Sequence, residues 1–204
     1  MANLNLETMS QEYYDVLKEL GNIGAGNATS ALAQMLQCKV DMLVPQVKLL
    51  EFQDVATIMG GEEQIMAGIY LGVSGDITGS IMFLLEKDSA RNLVKMLTGV
   101  SAEGEEFSDL ELSALQEVGN IITSSYLNSL SSMTKLRLSP SIPALAIDMA
   151  GAILSVPAIE FGVLGDKILL IQTQFFNEVH LDGYFILIPD LESYGKILAS
   201  LGIQ

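Results

Sequence analysis

Hydrophobic residues follow helical spacing along two long stretches of the chain. The first stretch covers residues 10 to about 37, and its apolar positions are Val16, Leu17, Leu20, Ile23, Ala31, Leu32, Met35 and Leu36. The second stretch opens at Ser108, which forms a predicted capping box with Glu111, and it runs to about residue 133. The pattern therefore predicts two long amphipathic helices.

The same order of shorter elements follows each predicted helix. A short extended segment comes first and a strand-like run second. A poorly periodic stretch with room for a short helix follows, and then a β-hairpin and a closing helix. The predicted strands are 47–52, 64–72 and 78–85 in the first half, and 144–149, 167–176 and 183–188 in the second half. The closing helices are predicted at 88–97 and 191–201. These elements predict an α+β fold.

One motif occurs twice along the chain, at a fixed offset of 98 positions. Its pattern is [Asp/Ser]-x3-Glu-x2-Asn-x22-Pro, formed by Asp15, Glu19, Asn22 and Pro45 and again by Ser113, Glu117, Asn120 and Pro143. In the hairpins the offset becomes 104, which matches Gly79 with Gly183 and Glu86 with Asp190. The repetition predicts an internally duplicated α-β-(α)-β-β-α unit.

The duplication also predicts how the two halves associate. The repeats cover about 10–99 and 108–203, and the linker at 99–107 is short and polar. We therefore expect residues 1–204 to form a single domain whose halves share one core. The expected architecture is a six-stranded sheet with two long helices, arranged about a pseudo-twofold axis.

The net charge limits the classes of partner. A formal charge of -15 disfavours nucleic acid, because phosphate binding needs clustered lysine and arginine. It disfavours an anionic membrane surface for the same reason. The most apolar stretch, 144–165, contains Asp148, Pro157 and Glu160, which argues against membrane insertion. With no signal-peptide pattern at the N-terminus and Cys38 as its single cysteine, the chain is expected to be cytoplasmic.

The repeated motif places a carboxylate and an amide on one face of each predicted helix. Asp15, Glu19 and Asn22 lie at positions i, i+4 and i+7, so their side chains form one polar stripe. An asparagine amide both donates and accepts hydrogen bonds and can hold a water molecule in a fixed orientation. The alternative is that both stripes are solvated helix faces and that each proline only fixes the entry to a strand. Repetition at matched spacing favours the functional interpretation.

Other catalytic chemistry is sparse in the sequence. His180 is the only histidine, so a histidine-based triad could form only once, and no paired histidines or cysteines suggest zinc. Residues 21–30, GNIGAGNATS, lack the Gly-Lys-Ser/Thr of a phosphate-binding loop, and no predicted strand precedes them. If the chain is an enzyme, its own active site is therefore incomplete.

The duplicated motif resembles that of the CheC family of chemotaxis phosphatases, which includes CheC, CheX and FliY. Two motif copies within 204 residues resemble CheC itself most closely. The resemblance implies hydrolysis of the aspartyl phosphate of the response regulator CheY. It implies that Asn22 and Asn120 orient the attacking water and that Glu19 and Glu117 anchor a CheY lysine. It also implies that CheY supplies the Mg²⁺ ion and that the chain needs no cofactor of its own.

The resemblance implies a second partner, the receptor deamidase CheD, which modulates family members. Asp148 is our candidate contact, because it is the only charged residue in the predicted strand 144–149. Strand alternation points Leu145, Ile147 and Met149 inward and Asp148 outward. The competing interpretation of the whole chain is a non-catalytic interaction module similar to the FliM middle domain.

Overall fold

The helices and strands of the chain are seen in a computed structural model, which describes residues 11–99, 104, 106–161, 167–176 and 180–202. The helices in these residues are α1 Gln11–Leu36, α2 Phe52–Ile58, α3 Lys87–Thr98, α4 Asp109–Thr134, α5 Ala150–Phe161 and α6 Leu191–Ser200. The strands are β1 Asp41–Glu51, β2 Ile65–Gly75, β3 Gly79–Glu86, β4 Leu138–Pro140, β5 Ala144–Met149, β6 Lys167–Phe176 and β7 His180–Pro189. The α+β class and the two long helices are as predicted.

All strands of the described residues belong to one antiparallel sheet. Its order is β1-β6-β7-β3-β2-β4, and β5 also pairs with β2. The outer strand on each side therefore pairs with a hairpin from the other half of the chain. Local sequence patterns do not predict this pairing between the two halves, because long-range packing determines which strands pair.

The sheet has seven strands in the described residues, whereas the sequence predicts six. The additional strand is β4, which pairs with the end of β2; it lies in the short extended segment predicted after the second long helix, which the count of six strands does not include. Residues 141–143 separate β4 from β5 without strand structure. Pro143 lies at this break, where the proline has no N–H to donate to a strand ladder.

The sheet has a hydrophobic core on each face. Side chains alternate along β3, so that Ile81 and Phe83 contribute to one core while Met82 and Leu84 contribute to the other. The first core is covered by α1, α3, α4 and α6, and the second by α2 and α5. In the first core, Phe83 stacks on Phe185 of the neighbouring strand, with ring centroids 4.8 Å apart. The long helices are therefore anchored on one face of the sheet.

The predicted capping box fixes the first turn of α4. The Ser108 amide donates to the Glu111 carboxylate at 2.7 Å, and the Glu111 amide donates to the Ser108 hydroxyl oxygen at 3.4 Å. The backbone and hydroxyl hydrogen bonds from Ser108 lower the pKa of the Glu111 carboxyl. The predicted capping box is confirmed, and it marks the start of the second long helix.

Strand β5 lies at the edge of the sheet, where it pairs with β2. Leu145 and Ile147 pack partly against the core, and Asp148 is exposed, as the alternation predicts. The inward placement of Met149 is wrong, because its side chain is 45% exposed at the strand end opposite Ile65. No helix within the described residues has the length and hydropathy needed to cross a membrane.

Candidate active site on the two long helices

The first polar stripe lies in the N-terminal half of α1. The side chains of Asp15 and Glu19 are exposed, and that of Asn22 is half-buried. Successive stripe residues are one helical turn apart, so the carboxylate and the amide open to the same side of the helix. An amide that is partly buried has fewer rotamers available than one fully in solvent, which favours a fixed orientation.

The second stripe has the same profile of exposure on α4. Ser113 and Glu117 are exposed, and Asn120 is half-buried. The Ser113 hydroxyl donates to the Asp109 carbonyl oxygen at 2.8 Å, a bond within the helix that leaves Glu117 and Asn120 as the outward groups of the stripe. In the described part of the chain, no hydrogen bond or ion pair engages the side chains of Glu19, Asn22, Glu117 or Asn120.

Helices α1 and α4 contact each other along a line that excludes both stripes. The Asn27 amide donates to the Ser129 hydroxyl oxygen at 2.7 Å across this contact. One helical turn away, Gly24 faces the ring of Tyr126, and a Cβ atom at Gly24 would lie 2.4 Å from a ring carbon. The glycine therefore allows the tyrosine ring to fill the space between the helices.

Helical geometry turns each stripe away from this contact line. At 3.6 residues per turn, Asn22 is rotated about 160° from Gly24 and about 140° from Asn27. On the other helix, Asn120 is rotated about 120° from Tyr126 by the same geometry. The two stripes therefore face opposite flanks of the helix pair, and each is accessible from its own side.

Tyr126 carries a buried hydroxyl that has no hydrogen-bond partner in the described structure. Its ring stacks against Phe185 with centroids 5.4 Å apart, and burial raises the pKa of its phenol above the ordinary range. An unpaired buried hydroxyl destabilises the folded state by roughly 1–3 kcal/mol, whereas the ring contacts do not depend on it. At about 2–4 °C per kcal/mol for a chain of this length, Tyr126→Phe is therefore expected to raise the melting temperature by about 2–12 °C. A fall in the thermal-unfolding midpoint would show that the hydroxyl is bonded.

Gly119, which directly precedes Asn120, packs against the sheet. A Cβ atom at Gly119 would lie 2.5 Å from Cγ1 and 2.8 Å from Cβ of Ile69 on β2. The glycine therefore allows α4 to approach the sheet closely at the residue beside the motif amide. The sequence carries a signal for this contact, since Gly21 precedes Asn22 in the same way.

The two motif prolines follow the long helices in sequence and belong to neither stripe. The Gln116 side-chain amide donates to the Pro143 carbonyl oxygen at 2.8 Å, which ties the segment before β5 to α4 next to Glu117. Pro45 lies in β1, where the register against β6 shifts between Leu43 and Gln46. The side chain of Pro45 lies outside the described residues. A proline inside a strand removes a ladder hydrogen bond, which accounts for the irregular register.

The remaining candidate groups do not gather into a second site. Within the described residues, no group of three or more histidine, cysteine, aspartate or glutamate side chains is placed to hold a metal ion. Cys38 is half-buried just after α1. Asp148 is exposed on β5, and its carboxylate accepts the Met149 amide at 2.7 Å.

Comparison with known proteins identifies relatives that match nearly the whole chain. The family model described as CheC-like family matches residues 14–49 and 110–147, the segments that contain the two motif copies. The CheY-P phosphatase CheC of Bacillus subtilis is 37% identical over 202 residues, covering 95% of this chain and 96% of that protein.

Two solved structures share the fold. FliY of Thermotoga maritima superposes with a TM-score of 0.77 at 20% identity, over 96% of this chain and 98% of that one. CheX of Borrelia burgdorferi, solved in a CheX-CheY-BeF3-Mg+2 complex, superposes with a TM-score of 0.52 at 19% identity, over 82% of this chain and 96% of that one. At these identities the structures show a common fold, whereas the Bacillus relative shows the family. The chain belongs to the CheC-like family.

Proposed function

We propose that this chain is a phosphatase that hydrolyses the aspartyl phosphate of the chemotaxis response regulator CheY. The observation that carries the proposal is the pair of outward stripes, each with an exposed glutamate and a half-buried asparagine on its own helix flank. The identity to a CheY-P phosphatase over nearly the full length supports the substrate. As the enzyme of a cytoplasmic signalling pathway, the chain would act in the cytoplasm.

In the proposed reaction, the partner completes the active site. Asn22 or Asn120 holds a water molecule in line with the phosphorus–oxygen bond, on the side opposite the aspartate. The water oxygen attacks phosphorus, the bond to the aspartyl oxygen breaks, and the products are inorganic phosphate and a free aspartate. Glu19 or Glu117 pairs with a lysine ammonium of CheY and fixes the docking geometry. Mg²⁺ belongs to CheY and offsets phosphoryl charge there.

The other motif residues have supporting roles in this proposal. Asp15 and Ser113 lie one turn before the glutamates, where they help position the helix or contact CheY. Pro45 and Pro143 shape the segments that follow the helices. This assignment makes the Glu and Asn of each stripe the groups that touch the partner's reacting centre.

We propose further that the chain is one domain built from two repeats, 10–99 and 108–203, about a pseudo-twofold axis. The pairing of β3 with β7 supports this proposal, because Met82 lies opposite Ile186. Ile186 is the residue equivalent to Met82 in the second repeat, 104 positions later. The groove between α1 and α4 supports it as well. Its volume is about 370 Å³, and it is lined by Asn27, Ser30, Ala31 and Gln34 and by the four positions 98 residues later, Ser125, Asn128, Ser129 and Ser132.

CheD remains a proposed second partner, with Asp148 as its proposed contact. The exposure of Asp148 on an edge strand supports an accessible position. Asp148→Lys should weaken CheD binding and leave the basal phosphatase rate unchanged, because Asp148 is on neither stripe.

Catalysis distinguishes the proposed phosphatase from a FliM-like interaction module. The test measures phosphate loss from phosphorylated CheY in excess over this chain, with Mg²⁺ present. We expect multiple turnovers at a rate above the spontaneous hydrolysis by CheY. Binding of CheY without any acceleration would contradict the phosphatase and favour the interaction module.

Because the stripes face opposite flanks, we expect two CheY molecules to bind at once. CheY activated with beryllofluoride and Mg²⁺ should form a complex of two CheY molecules with one chain, measured by light scattering after size-exclusion chromatography. Glu19→Lys and Glu117→Lys should each reduce the ratio to one, since a lysine repels the CheY ammonium. A wild-type ratio of one would contradict independent sites.

A further inference from the structure

Two large apolar side chains are exposed close to the second stripe. Leu110 is 69% exposed in the first turn of α4, and Ile142 is 87% exposed in the segment that precedes β5. Single exposed hydrophobic residues are common on protein surfaces and need no explanation by themselves. Their positions relative to Glu117 and Asn120 are what makes this pair informative.

Leu110 extends the stripe toward the start of α4. It lies seven residues before Glu117 and three before Ser113, which places it about 20° from Glu117 around the helix axis. The capping box of Ser108 fixes the turn that carries Leu110. The leucine is therefore presented on the same side as the motif carboxylate.

Ile142 is held outward by hydrogen bonds on both sides. The Ser141 amide donates to the Gly72 carbonyl oxygen at 2.8 Å, and the Gly72 amide donates to the Ser141 hydroxyl oxygen at 2.9 Å. On the other side, the Pro143 carbonyl oxygen accepts the Gln116 amide of α4 at 2.8 Å. The segment is thus ordered before any partner binds, which lowers the entropy lost on association.

We propose that Leu110 and Ile142 form an apolar rim of the second site and contact an apolar patch beside the phosphorylated aspartate of CheY. The inference rests on the proposed function and adds binding residues to it. The occupant is CheY because the rim continues the stripe that would enter the CheY site. At the matching positions, 98 residues earlier, the first half has Glu12 and Val44. The two sites therefore differ in the chemistry of their surroundings.

The rim predicts a change in substrate binding without a change in chemistry. In an Asn22→Ala background, which silences the first site, Leu110→Ser and Ile142→Ser should each raise KM for phosphorylated CheY about fivefold. The kcat should stay within about twofold, because neither residue reaches the phosphoryl group. Leu110→Met, which keeps an apolar side chain, should retain the low KM.

Ile159→Ser is the matched control, since Ile159 is 81% exposed on α5 and α5 covers the opposite face of the sheet. Its KM should equal that of the background protein. An unchanged KM in both rim variants, or a fall in kcat alone, overturns the rim and leaves the proposed function standing. If Asn22→Ala/Asn120→Ala hydrolyses phosphorylated CheY at the wild-type rate, the site assignment fails and the rim fails with it.

Discussion

Replacing both motif asparagines, Asn22→Ala/Asn120→Ala, is expected to lower the chain-dependent rate of CheY dephosphorylation by about 100-fold or more. Alanine has no group to hold the attacking water in line with the phosphorus–oxygen bond. The water then samples many orientations, few of which allow attack. Both asparagines are half-buried rather than core residues, and alanine is a better helix former than asparagine. The melting temperature should therefore not fall.

Each single variant should retain activity from the other site. The losses from Asn22→Ala and Asn120→Ala are expected to be unequal, because Gly24 and Gly26 follow the first amide where Ile122 and Ser124 follow the second. Single-turnover phosphate release from phosphorylated CheY measures all variants on one scale.

Asn128→Ala serves as the matched control for the asparagine series. Asn128 is an exposed asparagine of α4 that lies in the groove rather than on the stripe. It should keep the wild-type rate. A double stripe variant as active as this control would contradict the assignment of the asparagines.

Gly119→Ala is expected to destabilise the fold, although alanine is favoured over glycine in a helix. The new Cβ atom would overlap Ile69, whose own Cβ is only 2.8 Å away and moves only with its strand. Overpacking of this kind costs about 1–3 kcal/mol, which exceeds the gain in helix propensity of up to about 1 kcal/mol. The variant should also lose activity at the second site, because Asn120 moves with Gly119.

Gly26→Ala is the control for the glycine prediction, because nothing lies within 4 Å of the Cβ position there. Its unfolding free energy should rise by about 0.5–1 kcal/mol. Thermal unfolding of the two variants should therefore shift in opposite directions. A Gly119→Ala protein as stable as Gly26→Ala would show that α4 does not need this close approach.

The sequence predicts elements well where the signal is local. Strand β5 spans 144–149 and the Ser108 capping box has its expected hydrogen bonds, because alternation and capping depend on a few neighbouring residues. The long helices end within one residue of their predicted limits. These features need no knowledge of the rest of the fold.

The sequence fails where distant segments decide the outcome. The pairing of β1 with β6, and of β5 with β2, joins opposite halves of the chain and has no local signature. Met149 follows the apolar alternation but is exposed, because the sheet ends there. The strand β4 is only three residues long, too short for any periodicity.

The candidate site shows the same division. Helical spacing predicts that Glu117 and Asn120 share a face, and both lie on the outer side of α4. It does not predict that Gly119 contacts Ile69 or that Gln116 holds Pro143, since both contacts cross between elements. The sequence therefore predicts the two stripes, whereas it does not predict the contacts that fix their position.

A structure of this chain bound to CheY, with beryllofluoride on the CheY aspartate and Mg²⁺ beside it, tests the central claim most directly. We predict that Asn22 or Asn120 lies within about 3 Å of the water that faces the beryllofluoride. Glu19 or Glu117 of the same stripe should pair with a CheY ammonium group. CheY seated elsewhere, for example on β5 and α5, with both asparagines left in solvent, would contradict the claim.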